Sequence, residues 1–156
     1  MWSGAQAQAG RQNDVVPGRQ RHLLPPLIPP FRFALVEEGV YRGAYPSLIN
    51  FRFLQRLQLR TVVSLLPEAP TSDLLSWCEA NGIRNHAERV AVFKDEVTLS
   101  QDRAAAILQL LALPERQPVY LHCLDGVSVT GTLMMCLRKL QVAHSMLPPR
   151  PLGLAR

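Results

Sequence analysis

Three times between residues 61 and 141 a short apolar run gives way to a turn-rich stretch and then to a segment with helical spacing of its apolar residues. TVVSLL (61–66) is β-branched and reads as a buried strand, PEAPTSD breaks it, and DLLSWCEAN follows as a helix that Thr71 or Ser72 caps and Gly82 stops. IRNHAERVAV then reads as a strand running into a loop, FKDEVTLS as polar and irregular, and QDRAAAILQLLAL as a helix capped by Ser100 and ended by Pro114. PVYLHC (118–123), LDGVSVTG and TLMMCLRKLQ complete the third strand, loop and helix. This alternation predicts an α/β fold with a mainly parallel sheet covered by helices. Such folds carry their functional crevice at the carboxyl ends of the strands, which is where Cys123 falls.

The segments around this core divide the chain of 156 residues. Residues 1–30 have no period and end in LLPPLIPP, with four of the thirteen prolines, so they read as an extended tail. Its PxxP spacing suits an SH3-type ligand, but the favoured reading is an extended lead-in that packs on the domain edge. Residues 31–141 form the patterned domain. FRFALV and GVYRGAY are short strands, Ser47 caps LINFRFLQRLQL, and Leu48, Phe51, Leu54 and Leu57 mark the buried face of that helix. Residues 142–156, VAHSMLPPRPLGLAR, read as an irregular proline-bearing tail.

Charge narrows the function classes. The net charge of +5 lies in the tails, because residues 33–141 hold eleven basic and eleven acidic residues. A nucleic-acid surface needs basic residues gathered on a folded face, so none is expected. No apolar run approaches the length of a membrane span, and with no continuous apolar stretch near residue 1 no secretory leader is expected. Three scattered cysteines without a CxxC pair suit a reducing compartment, cytoplasmic and also nuclear. No residues have metal-ligand spacing, and neither metal nor cofactor is expected.

The loop after the third strand offers chemistry. Backbone N–H groups and a helix dipole at such a turn favour an anion, and a cysteine at its start has its thiolate stabilised. Gly126 would let the loop curl, Thr130 is expected to donate a hydrogen bond to the sulfur, and Gly131 would let the helix pack closely.

The segment VYLHCLDGVSVTGTLMMCLRKLQ resembles the HCxxGxxRTG signature of cysteine-dependent tyrosine and dual-specificity phosphatases, matching at His122, Cys123, Gly126, Thr130 and Gly131. GVYRGAYPSLINFRFLQRLQLRTVVSLLPE and LLSWCEANGIR resemble the plant and fungal atypical dual-specificity phosphatases, a group that includes inositol-pyrophosphate phosphatases and the oxidant-induced cell-cycle-arrest proteins. The resemblance covers residues 31–141. It implies a three-layer phosphatase fold, here without the C-terminal helices that members carry. It implies Cys123 as nucleophile, His122 as the group that tunes the thiol, and a phosphate cradle built from Leu124, Asp125, Gly126, Val127, Ser128, Val129 and Thr130. FKDEV stands where members carry their acid loop, so Asp95 is the candidate general acid and Glu96 the second; Asp95 reads equally as a solvated loop charge. The implied partners are a phosphorylated protein or an inositol phosphate, and beyond them a protein partner.

One departure dominates. The signature arginine, which clamps the phosphoryl oxygens, is Val129. No other basic residue lies in 122–131, and Asp125 adds a charge that repels phosphate. The expectation is a phosphatase-like domain with weak or lost activity. The rivals are a working phosphatase that draws an arginine from outside the loop, with Arg89 and Lys94 as candidates and Arg138 and Lys139 too far down the helix, and a non-catalytic interaction module. Cys78, Cys136 and Trp77 read as core, and His86 as a polar loop residue.

Overall fold

The computed structural model describes residues 25–93 and 96–146. Its first strands, β1 (Ala34–Glu37) and β2 (Val40–Ala44), form an antiparallel hairpin around Gly39, whose φ of 75° suits the glycine. Helix α1 (Leu48–Arg56) leads to β3 (Thr61–Leu66), and α2 (Ser72–Ala80) leads to β4 (Arg84–Arg89). A small antiparallel pair, β5 (Val92–Phe93) and β6 (Glu96–Val97), precedes α3 (Gln101–Ala112). Then come β7 (Val119–Cys123) and α4 (Ser128–Ser145).

The central sheet has the order β1-β2-β7-β3-β4, with β2, β7, β3 and β4 mutually parallel. Strand β7 is thus central, and all five of its residues are buried, as are all six of β3. The two-residue period of a strand sorts them between two cores. Val63, Leu65, Val119, Leu121 and Cys123 face α3 and α4, packed with Ile107, Leu111, Leu133 and Leu137. Val62 and Tyr120 face the other way, with Leu54, Leu74, Cys78 and Ile83. The result is the three-layer arrangement that the alternation predicts.

Several local readings are met. Ser47, Thr71 and Ser100 are the N-caps of α1, α2 and α3, and Gly82 follows the end of α2 with φ 65°. Trp77 stacks on Phe51 at 4.7 Å between α2 and α1, and Cys78 is buried beneath them. The lead-in is docked: buried Asn50 donates from Nδ2 to the carbonyls of Ile28 and Pro29, and Pro30 is buried.

Others are corrected. Helix α4 begins at Ser128 instead of Thr132 and runs to Ser145, through part of the supposed tail. The chain has no helix breaker until Pro148, so Val142–Ser145 simply continue the turn pattern. The irregular FKDEV stretch contains the β5–β6 pair. Leu48 is exposed, because the first turn of α1 buries Asn50 against the lead-in and turns Leu48 and Ile49 outward. His86 lies within β4, 3.9 Å from Glu88. Among the described residues no helix is long and apolar enough to cross a membrane.

Candidate active site

The loop between β7 and α4 is held from outside by its carbonyls. Tyr45 N–H at the end of β2 donates to Leu124 O at 3.3 Å, and Arg32 Nη1 donates to Asp125 O at 3.2 Å. Arg32 sits 93 residues away in sequence, before β1, in the left-handed region with φ 55°. The loop turns at Gly126, φ 73°, where a Cβ would stand 2.5 Å from the backbone nitrogen of Ala44. No other residue type fits so close to β2. The tight-turn role expected for Gly126 is therefore met. That expected for Gly131 is not: a Cβ there meets nothing within 4 Å.

With the carbonyls outside, N–H groups of the loop converge inside. They converge on Asp125. Its Oδ1 accepts from Val127 N at 3.0 Å and Ser128 N at 3.1 Å, and its Oδ2 accepts from Ser128 Oγ at 2.7 Å. The Cys123 thiol, at the floor of the loop and only 2% exposed, donates to the same Oδ1 at 3.1 Å. Thr130 Oγ1 lies 3.5 Å from the sulfur, from the first turn of α4. The Val127 N–H above all, with the Ser128 hydroxyl, the Cys123 thiol and the Ser128 N–H, holds the Asp125 carboxyl well below the usual carboxylate range, against an opposing effect of burial second only to the Val127 hydrogen bond.

The cleft over the thiol, about 350 Å³, has apolar walls from Leu65, Pro67, Val90, Ala91, Leu124 and Val129. Among the described residues Asp125 is the one charged group that lines it. Val129 is buried in the first turn of α4, with its side chain against the core and the cleft floor. Leu124 and Val127 are exposed.

His122 belongs to the opposite face of the sheet. Its ring stacks on Tyr120 and meets Tyr45 edge-on, and it makes no hydrogen bond to the thiol. Asn85 Nδ2 donates to Ser64 Oγ at 3.1 Å, and Ser64 Oγ pairs with His122 Nε2 at 2.9 Å. The hydroxyl of Ser64 can accept from both neighbours or donate to Nε2, according to the ring tautomer, and Nδ1 is buried with no partner in hydrogen-bond geometry. Burial lowers the His122 pKa to about 4, with the Cys123 backbone pulling weakly upward, so the ring is neutral at pH 7. Direct tuning of the sulfur by this imidazole is replaced by a structural role: it ties β7 to β3 and β4.

The other candidates separate. Asp95 and Lys94 lie outside the described residues. Arg138 is committed elsewhere, donating from Nη2 to Val36 O at 2.6 Å and from Nη1 to Gln141 Oε1 at 2.8 Å, and pairing with Glu37 at 3.9 Å. Arg89 does not line the cleft. Arg42, Arg138 and Lys139 instead border an open groove of about 810 Å³ on the other side of the loop, shared with Val127, Ser128 and Gly131. Arg32 also belongs to the site, and no local sequence signal marks it.

A strand, a phosphate-sized loop and a helix arranged in this way have known counterparts. Residues 27–144 match the tyrosine phosphatase family. The chain belongs to that family. Inositol diphosphatase DSP2 of Oryza sativa subsp. japonica is 36% identical over 116 residues, which is 74% of this chain and 57% of that protein. The core catalytic domain of PP-IP phosphatase SIW14 from S. cerevisiae, solved in complex with citrate, superposes with a TM-score of 0.68 at 31% identity, covering 75% of this chain and 70% of that one. P. aeruginosa TpbA, solved in complex with pTyr, gives 0.51 at 26% identity over 65% of this chain and 58% of that one. The chain spans a little over half the length of the curated relatives it matches. The resemblance read from GVYRGAYPS and the signature loop to plant and fungal members of the family is borne out.

Proposed function

We propose that this chain is a cysteine-dependent phosphatase-fold protein with Cys123 as nucleophile, slow because among the described residues no guanidinium faces its cradle, and directed at inositol phosphates. The carrying observation is the convergence of the Val127 and Ser128 N–H groups and the Cys123 sulfur on a single oxygen, 3.0 to 3.1 Å from each. A phosphoryl oxygen bound there would set phosphorus against the sulfur. Cys123 would attack phosphorus, the P–O bond to the leaving group would break, and water would release phosphate from the cysteine. Asp95 is the acid we assign to the leaving oxygen. The names of DSP2 and SIW14 support the substrate class. So do Arg42 and Lys139, which place cations in the groove beside the loop where further phosphates of an inositol ring would lie. A phosphorylated protein is the second substrate class we keep, since TpbA was solved with pTyr. The free state of Cys78, Cys123 and Cys136 fits a cytoplasmic, and also nuclear, location, which imaging of a tagged chain would test.

Arg32 is not the missing clamp. It grips the outer carbonyl of the loop and lies against the Phe31 ring at 4.9 Å. Losing a charged clamp on a transferring phosphoryl group costs on the order of 10²–10⁵ in rate. The test is turnover of a small aryl phosphate and of inositol hexakisphosphate by purified protein, beside Cys123→Ser and Val129→Arg. The expected order is no turnover for Cys123→Ser, slow turnover for the native chain, and a gain of about 10² or more for Val129→Arg. Equal rates for all three would overturn the reading.

A further inference from the structure

The loop that would take phosphate already holds an anion, and that anion belongs to the loop. The Asp125 carboxylate satisfies the Val127 N–H, the Ser128 N–H, the Ser128 hydroxyl and the Cys123 thiol together. A helix cap explains part of this, since an aspartate three residues ahead of Ser128 N–H is a common way to satisfy a helix start. It does not explain the thiol, which a cap has no use for. Nor does it explain the surroundings: the cleft above the sulfur is lined by apolar side chains and, among the described residues, by no cation. The donors gathered inside the loop are the positive potential the cleft has, and Asp125 has taken them.

We infer that Asp125 is a built-in competitor for the phosphoryl site, a side chain that an incoming oxyanion must turn out of the cradle before it reaches Cys123. This rests on the reading of the loop as a phosphate cradle. The physics is a competition for a fixed set of donors. Phosphoryl oxygens and the carboxylate cannot both accept from Val127 N and Ser128 N, and two anions within about 4 Å repel strongly in a cleft with no cation among its described lining residues. The aspartate is exposed, so it has room to rotate outward without unpacking the core. It thereby selects ligands: those with several anionic groups, anchored by Arg42 and Lys139 in the neighbouring groove, displace it more readily than a simple monoester.

The test is the affinity for tungstate, a phosphate mimic, measured by calorimetry for the native chain, Asp125→Ala, Val129→Arg and the double variant. Asp125→Asn is added because it keeps a capping oxygen in place. Asp125→Ala is expected to tighten tungstate binding by about tenfold or more in both backgrounds, with Asp125→Asn between. Were Val129→Arg to bind tungstate with no gain, or a loss, on adding Asp125→Ala, then Asp125 is a helix cap alone and the inference falls while the phosphate reading stands. Were no variant to bind tungstate, although each melts cooperatively, the phosphate reading itself falls and takes the inference with it.

Discussion

At the scale of single residues the active-site loop is set by backbone geometry before any side-chain chemistry. Gly126 has a φ of 73° and lies so close to β2 that a methyl group would come within 2.5 Å of Ala44 N and 2.7 Å of the Gly43 carbonyl carbon. Gly126→Ala is expected to lower the stability by about 2 kcal/mol or more, combining left-handed strain with a clash against fixed backbone. Urea unfolding would measure it, and a loss under about half a kcal/mol would mean that the loop shifts freely on β2. The same scale holds the lesson of His122. Two adjacent residues of a strand point to opposite faces, so the imidazole next to Cys123 in sequence lies across the sheet from the sulfur. That period was legible in VYLHC, and it speaks against direct contact. The orientation of Asp125 was not legible: its charge is written in the sequence, but its inward turn depends on which donors the folded loop presents.

At the scale of elements, β7 is the member that the site depends on. It is flanked on both sides by parallel neighbours, β2 and β3, and one polar chain crosses from β4 to β3 to β7 through Asn85, Ser64 and His122. Ser64 is fully buried and is the middle link. Ser64→Ala removes the hydrogen-bond partner of His122 Nε2 and the acceptor of Asn85 Nδ2. A buried polar group left without its partner costs about 1–3 kcal/mol, so a loss in that range is expected on thermal or urea unfolding. Helix α4 shows why boundaries were harder to read than elements. Its start at Ser128 folds Val129 and Thr130 into the first turn, so Val129 is a core residue as well as the occupant of the signature arginine's position. From the sequence, VSVTG looked like loop because glycine and β-branched residues weaken a helix; packing of Val129, Leu133 and Leu137 on the sheet overrides that preference.

At the scale of the whole molecule, the response to acid sums over His122 and Asp125. His122 has a folded pKa of about 4 against an ordinary 6.5, so the folded state binds fewer protons than the unfolded chain between those values. Stability is therefore full above pH 6.5 and falls as the pH drops toward 4, by about 3 kcal/mol across the window for this one buried ring. The depressed Asp125 adds a further loss below the ordinary carboxylate range, where the unfolded chain protonates first. Melting temperatures from about pH 7.5 to 4 should fall steadily in the native chain and more gently in His122→Gln; identical curves would mean that His122 takes up its proton while folded. Apolar side chains of α4 are also exposed, with Met135 at 63% and Leu140 at 56%. By itself the sequence determined the order of strands and helices, the helix caps, the family, and the place of Cys123 at the end of a buried strand, because each is written in residues a few positions apart. The tertiary structure alone decided that Arg32 grips the loop from 93 residues away, that Arg138 is spent on β1, and that Asp125 rather than a cation fills the cradle. Those outcomes depend on which hydrogen-bond donors and acceptors the packed sheet leaves facing one another, and no local pattern carries that information.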